Sequence, residues 1–212
     1  MDEASKTIKL YPSLLSTYLH GRILDIGAGQ DPITKDAQVF DKVEGDAQKV
    51  DQYFSGESFD SVFSSHCLEH MVDPISALKA WFTLVKPGGH LIVIVPDEDL
   101  YEQGHFPSIF NTDHKATFTI SKSKSWSHRS YNCRDLCNIL GGEVVYLSQQ
   151  SDNYDFRKQS HKKLGLLKIP ILRQVLRIKL LRQIAPYLGL MPWDQTSLDD
   201  SILAQICFIV KK

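Results

Sequence analysis

Cysteine is scarce in this chain of 212 residues. Cys67, Cys133, Cys137 and Cys207 are too few and too scattered for a disulfide framework, and a reducing compartment is the simpler expectation. An excess of charge of one sign is also lacking: 24 Lys and Arg face 25 Asp and Glu, for a net charge of -1. No global positive field exists to draw in nucleic acid, so no general nucleic-acid binding is expected. No stretch approaches the roughly 18–20 apolar residues of a membrane-spanning helix. The opening MDEASKTIKLYPSLL starts acidic and has no uninterrupted apolar core, which argues against a secretory signal. Internal repeats and low-complexity segments are absent. What remains, 42% hydrophobic and 23% charged residues, excludes disorder, collagen and coiled coil. The expectation is a soluble, cytoplasmic protein with a single domain over 1–212.

Strand-like and helix-like stretches alternate along the first two-thirds. Residues 8–20 carry apolar residues at helical spacing. RILDIGAG reads as a short buried strand running into a glycine turn. Two further short strand segments are expected at 38–41 (QVFD) and 42–46 (KVEGD), and another at 59–68. A helix is predicted over 74–86, with Asp73 as N-cap and Pro74 at its first position. Pro87-Gly88-Gly89 then stops it before an apolar strand over 90–95. Residues 97–131 loosen into a segment of loop-forming residues and histidines, long enough to serve a site. A short helix at 132–140, a strand EVVYLSQ and a closing strand in SILAQICFIVKK follow. The pattern implies an α/β fold with a twisted, mostly parallel sheet, helices on both faces and a C-terminal antiparallel strand.

The turn Asp25-Ile26-Gly27-Ala28-Gly29 carries the most information. Ligands of open α/β sheets sit at the carboxyl ends of strands, and glycine lets the backbone approach one with no Cβ in the way. Two ligands compete. A dinucleotide fingerprint wants a third glycine where Pro32 stands, and its pyrophosphate would meet Asp25 and Asp31. S-adenosylmethionine has no phosphate, and its ammonium and sulfonium are cations that a nearby carboxylate favours.

Four stretches in order, ILDIGAGQDP, VEGDAQ, SFDSVFSSHCLEHMVDP and LVKPGGHLIVIVPD, resemble the motifs of class I S-adenosylmethionine-dependent methyltransferases of the type-11 methyltransferase-domain family. The resemblance spans about residues 20–150 and implies a Rossmann-like fold. It implies S-adenosyl-L-methionine as cofactor and S-adenosyl-L-homocysteine as product. By the same resemblance Asp25, Gly27, Ala28 and Gly29 hold the methionine end, Asp41 the ribose, and Asp46 with Ala47 the adenine, with Ser65 completing the set. Only residues 30–45 separate Gly29 from Asp46, too few for two full helical crossovers. The first helix or the second strand must be cut short, which bears on Asp41 most directly.

Methyl transfer needs a base only where the acceptor must lose a proton. His66, His70 and His114 are the expected catalytic candidates, with His105 also on the long segment. In some relatives a Glu-x-x-Glu-His motif at this place binds a divalent metal, and here His66 stands at the first Glu. Many others carry Leu-Glu-His with no known metal. No metal is therefore expected, and His66, Glu69, His70 and His114 are the residues that would hold one. Cys133 and Cys137, like Trp81 and Phe82, read as packing.

A basic, apolar insertion is expected at about 151–197, between the last two strands. Its segment 157–182 holds nine Lys or Arg and no acid. A lid over the acceptor is its first reading, and a peripheral membrane surface or lipid-linked substrate its second. The expected activity is methylation of a small-molecule or glycan-type acceptor at oxygen or nitrogen. The rivals are a non-catalytic cofactor-binding module and a nicotinamide-dependent oxidoreductase on a similar fold.

Overall fold

The computed structural model describes residues 3–120, 122–159 and 192–212. Helices α1 (Glu3–Leu10) and α2 (Pro12–Tyr18) precede strands β1 (Ile23–Ile26) and β2 (Gln38–Phe40). Then come β3 (Phe59–Ser65), α3 (Pro74–Thr83) and β4 (Val85–Pro96), and a minor pair, β5 (Thr117–Thr119) and β6 (Ser130–Asn132). Helix α4 (Cys133–Leu140) leads to β7 (Glu143–Gln150), and β8 (Gln205–Lys211) closes the chain. Six strands form one sheet in the order β2-β1-β3-β4-β8-β7. The first four are parallel, and β8 runs antiparallel to both β4 and β7.

Residues 91–95 of β4 and 206–210 of β8 are apolar at every position because both faces of these strands are covered. Leu91, Val93 and Val95 of β4 point to one face, with Leu78 and Trp81 of α3 and Leu136 of α4. Ile92 and Ile94 point to the other, with Ala4 of α1 and Leu15 of α2. Each such aliphatic side chain contributes roughly 1.5–3 kcal/mol on burial. All four cysteines are buried and unpaired. Trp81 packs in the core and donates its Nε1–H to the Ala47 carbonyl at 2.8 Å.

Several expectations are corrected. The helical stretch 8–20 breaks at Tyr11 (φ -126°, ψ 48°), because the residue before a proline is disfavoured in the helical region. Residues 42–46 form a turn rather than a strand: Glu44 and Gly45 N–H both donate to the Asp41 carbonyl. Val43, 94% exposed, has no apolar surface to bury against. Helix α3 ends at Thr83, and Val85 already pairs with Phe59 in the sheet. The shortened crossover lies between β1 and β2, where residues 27–37 contain no helix, and β2 itself has three residues.

One acid gathers much of the long segment after β4. Buried Glu98 accepts from Thr117 Oγ1 (3.1 Å), Ser125 Oγ (2.8 Å), Ser130 Oγ (2.6 Å) and Lys122 Nζ (3.0 Å). The helical turn at Glu98–Glu102 and the β5–β6 pair stand on that anchor beyond the carboxyl end of β4. The basic stretch expected to act as a lid or membrane surface falls mostly in 160–191, outside the described residues. Among the described residues no helix is long and apolar enough to cross a membrane.

Candidate active site

Strand β1 ends at Ile26 and the chain turns at once. Gly27 (φ +81°) and Gly29 (φ +57°) occupy the left-handed region, which costs an L side chain roughly 1–2 kcal/mol. The Gly27 N–H donates to the Phe40 carbonyl at 2.8 Å and ties the turn to β2. A Cβ on Gly27 would stand 2.6 Å from the Cys67 Cβ, so glycine is required first by the chain leaving β3. Asp25 lies between Val39 and Phe63 in the sheet, and its Oδ2 accepts the Ile33 N–H at 2.7 Å. Burial pushes its carboxyl up to about 7; the Ile33 N–H opposes this, and the charges of Asp31 and Asp41 add to it. Asp31 takes both the N–H (2.9 Å) and the hydroxyl (2.5 Å) of Ser5, which holds α1 over the turn.

Two cavities open on this turn, and a third lies beside them across His66. One of about 310 Å³ is lined by Asp25, Gly27, Ala28, Gly29, Ser65 and His66, with Glu3 and Ala4 of α1. The Ser65 hydroxyl is buried there without a hydrogen-bond partner. A second, about 920 Å³, is lined by Gly27, Asp41, Asp46, Ala47, Gln48, His66 and His70, among others. The third, about 170 Å³, is bounded by Glu3, His66, Glu69, His70, Tyr101, Asn111, His114 and Gln205. His66 lines all three.

The residues expected around the second cavity are brought together. Asp41 follows directly on β2, its Oδ1 accepts the Lys42 N–H, and its Oδ2 lies 3.8 Å from where a Gly29 Cβ would stand. Asp46 has a second duty: its Oδ1 accepts the Gln48 N–H at 2.9 Å and caps the helical turn Ala47–Gln52.

The smallest cavity holds a cluster around one carboxylate. Glu69 is fully buried, and neither of its oxygens has a hydrogen-bond partner. Its Oε1 lies 3.6 Å from His66 Nδ1, 3.9 Å from His70 Nε2 and 3.9 Å from His114 Nε2. Burial works against its charge, yet the surrounding imidazoles, His66 foremost, hold the carboxyl below its usual range. For His66 burial acts downward, but Glu69 beside it and then Glu3 carry the ring up to about 9. His66 itself takes a left-handed backbone (φ +52°) as the chain leaves β3. His66, Glu69 and His70 therefore converge through a strained residue and a short helical turn at Leu68–His70, rather than along one regular helix.

Each imidazole is also gripped from behind. His66 Nε2 meets Gln205 Oε1 at 3.1 Å, His70 Nδ1 meets Asp113 Oδ2 at 3.1 Å, and His114 Nδ1 meets Glu102 Oε1 at 2.6 Å. These three partners and the roof residue Glu3 carry no local sequence signal. They arrive from β8, from α1 and from the segment after β4. His105, also buried, lines none of the three cavities.

A family model described as a methyltransferase domain matches residues 5–138. No curated protein sequence matches. Among solved structures, an S-adenosylmethionine-dependent methyltransferase from Archaeoglobus fulgidus is 16% identical with a TM-score of 0.54, covering 100% of this chain and 95% of that one. The YcgJ protein of Bacillus subtilis is 13% identical with a TM-score of 0.54, covering 98% and 99%. A Haemonchus contortus phosphoethanolamine N-methyltransferase, solved with phosphomonomethylethanolamine and S-adenosylhomocysteine, is 15% identical with a TM-score of 0.52, covering 96% of this chain and 52% of that one. At these identities the likeness shows the fold, a Rossmann-like, mostly parallel sheet.

Proposed function

The chain belongs to the methyltransferase-domain family and is an S-adenosylmethionine-dependent enzyme; on that premise we propose that it methylates a small-molecule or glycan-type acceptor at oxygen or nitrogen. The observation that carries the site assignment is the meeting of all three cavities at His66. The turn-side and the larger cavity suit the two ends of the cofactor, and the smallest suits the acceptor.

The residues fit this cofactor. Asp31 and Asp41 place carboxylates at the glycine turn, and Asp25, raised to about 7, ionises as a cation approaches. This favours an ammonium and a sulfonium and repels the pyrophosphate of a nicotinamide dinucleotide. The orphaned Ser65 hydroxyl faces the same cavity as Gly27 and Gly29 and needs a partner. Asp41 presents carboxylate oxygens suited to a vicinal diol, and Asp46 with Ala47 lines the cavity wall farther out.

S-adenosylmethionine supplies a methyl group already activated by its positive sulfur. The protein's task is to align acceptor and donor and to exclude water. Helix α1 roofs the turn through Ser5 and Asp31 and contributes Glu3 to the acceptor-side wall. His66, His70 and His114 line that wall and are the groups within reach of a proton on the acceptor. The test is a thermal-shift titration. S-adenosylhomocysteine should raise the melting temperature by mass action, and NAD should leave it unmoved. A shift with NAD and none with S-adenosylhomocysteine would overturn the reading.

A further inference from the structure

We propose that Glu69, His70 and His114 form a binding site for one divalent transition-metal ion, set where the acceptor meets the methyl group. The role of such an ion rests on the methyltransferase reading; the site itself rests on geometry alone.

Glu69 is the first argument. A carboxylate with no exposed surface and no hydrogen bond to either oxygen is costly unless a cation neutralises it. The second argument is the direction of the imidazoles. Gln205, Asp113 and Glu102 each occupy the outer ring nitrogen. That leaves His66 Nδ1, His70 Nε2 and His114 Nε2 on the side of Glu69 Oε1, at 3.6, 3.9 and 3.9 Å. Donor atoms of Glu69, His70 and His114 all lie within 4.8 Å of one another. A tetrahedral ion with bonds of about 2.0–2.1 Å spaces its donors about 3.4 Å apart, so these three donors draw together on the ion and leave its fourth position open.

Outer partners of this kind fix the tautomer of a metal-binding histidine and raise its basicity, and the 2.6 Å Glu102–His114 contact is the strongest of the three. Two imidazole nitrogens and one carboxylate select zinc, cobalt or iron over magnesium, which prefers oxygen. His66 and His70 also line the larger cavity, so the ion would stand at the seam between cofactor and acceptor. There it would recruit an acceptor through an oxygen atom.

The test uses the full chain, stripped with chelator and titrated with Co(II). Visible absorption and metal content by mass spectrometry are the readouts, and S-adenosylhomocysteine binding is measured in parallel. One cobalt per chain is expected, with ligand-field bands that Zn(II) displaces and Mg(II) does not. His114→Ala and Glu69→Gln should lose the bands, while Glu102→Gln should keep them with affinity weakened about 10–100-fold. Failure of the wild-type protein to bind Co(II) or Zn(II) stoichiometrically overturns the proposal and leaves a metal-free ion-pair cluster, whether or not the variants fold. Binding that survives in a folded His114→Ala protein also overturns it. Metal binding without S-adenosylhomocysteine binding would sink the methyltransferase reading and leave the metal site standing.

Discussion

Gly27 and Cys67 compete for one space: a Cβ on the first would lie 2.6 Å from the Cβ of the second. Together with φ +81° at Gly27, this sets two separate penalties on any side chain there. Gly27→Ala should cost roughly 2–5 kcal/mol from left-handed strain and overpacking combined, read as a lower urea midpoint. Cys67→Ala should give only partial relief, because it removes the sulfur, 2.7 Å from that Cβ, and leaves the Cβ contact at 2.6 Å. Cys67→Gly should recover the packing part and leave the strain. Full recovery in the Cys67→Ala background would show that the sulfur, not the backbone geometry, sets the constraint.

The carboxyl of Asp25, pushed up to about 7 by burial, makes cofactor binding sensitive to pH. The cation of the methionine end favours the ionised form, so below about pH 7 binding must first remove a proton. Affinity for S-adenosylhomocysteine should fall as pH drops from 8 to 5.5, and Asp25→Asn should flatten the profile. In the free protein the sign is opposite. A raised folded-state value means that the unfolded chain ionises first, so this group's contribution to stability is present below about pH 4 and is lost as pH rises through about 7. Asp25→Asn should therefore gain more melting temperature at pH 8 than at pH 5. Equal gains at both would separate Asp25 from the effect.

Asp41 and Asp46 line the same cavity but do different structural work. Asp46 caps a helical turn through the Gln48 N–H, and losing a cap costs about 0.5–2 kcal/mol. Asp46→Ala should lower both the melting temperature and the affinity for S-adenosylhomocysteine. Asp41→Ala should lower affinity by roughly 1–3 kcal/mol with little change in the melting temperature of the free protein. Calorimetric titration of both variants checks this, and wild-type affinity in Asp41→Ala would assign the ribose to another residue.

The parts legible in the sequence are those governed by neighbours along the chain. Asp73 caps α3 as its position before Pro74 foretells, accepting from Ile75 and Ser76 N–H at 3.1 Å. The short distance from Gly29 to Asp46 foretells a first helix or a second strand cut short; residues 27–37 contain no helix and β2 has three residues. The histidine cluster was legible only as a list of candidates. What organises it is non-local: Gln205 reaches His66 from 139 residues away, and the left-handed backbone at His66 turns its ring toward Glu69. No periodicity encodes either feature. Helical spacing is legible in the sequence only over residues 8–20, yet Glu3 and Ser5 of α1 make that helix a wall of the site.

Glu98 should matter to turnover far more than to cofactor affinity. Its carboxylate gathers three hydroxyls and the Lys122 ammonium with no exposed surface of its own. Glu98→Gln removes the charge opposite the Lys122 ammonium and turns one acceptor oxygen into a donor that the hydroxyls must rotate to meet. Breaking a buried pair in this way costs roughly 3–5 kcal/mol if the segment stays docked. Loosening the segment relieves that cost, at the expense of the burial of Phe118, which β5 seats in the core. Amide exchange should then rise across 112–131 while the amides of β3 and β4 stay protected. Gly27, Asp41 and Asp46 stand on other elements, so S-adenosylhomocysteine should still bind. His114, and Glu102 four residues beyond the anchor, would lose their placement beside Glu69. Exchange that stays slow across 112–131 in a folded Glu98→Gln protein would show that the segment is held by something other than this carboxylate.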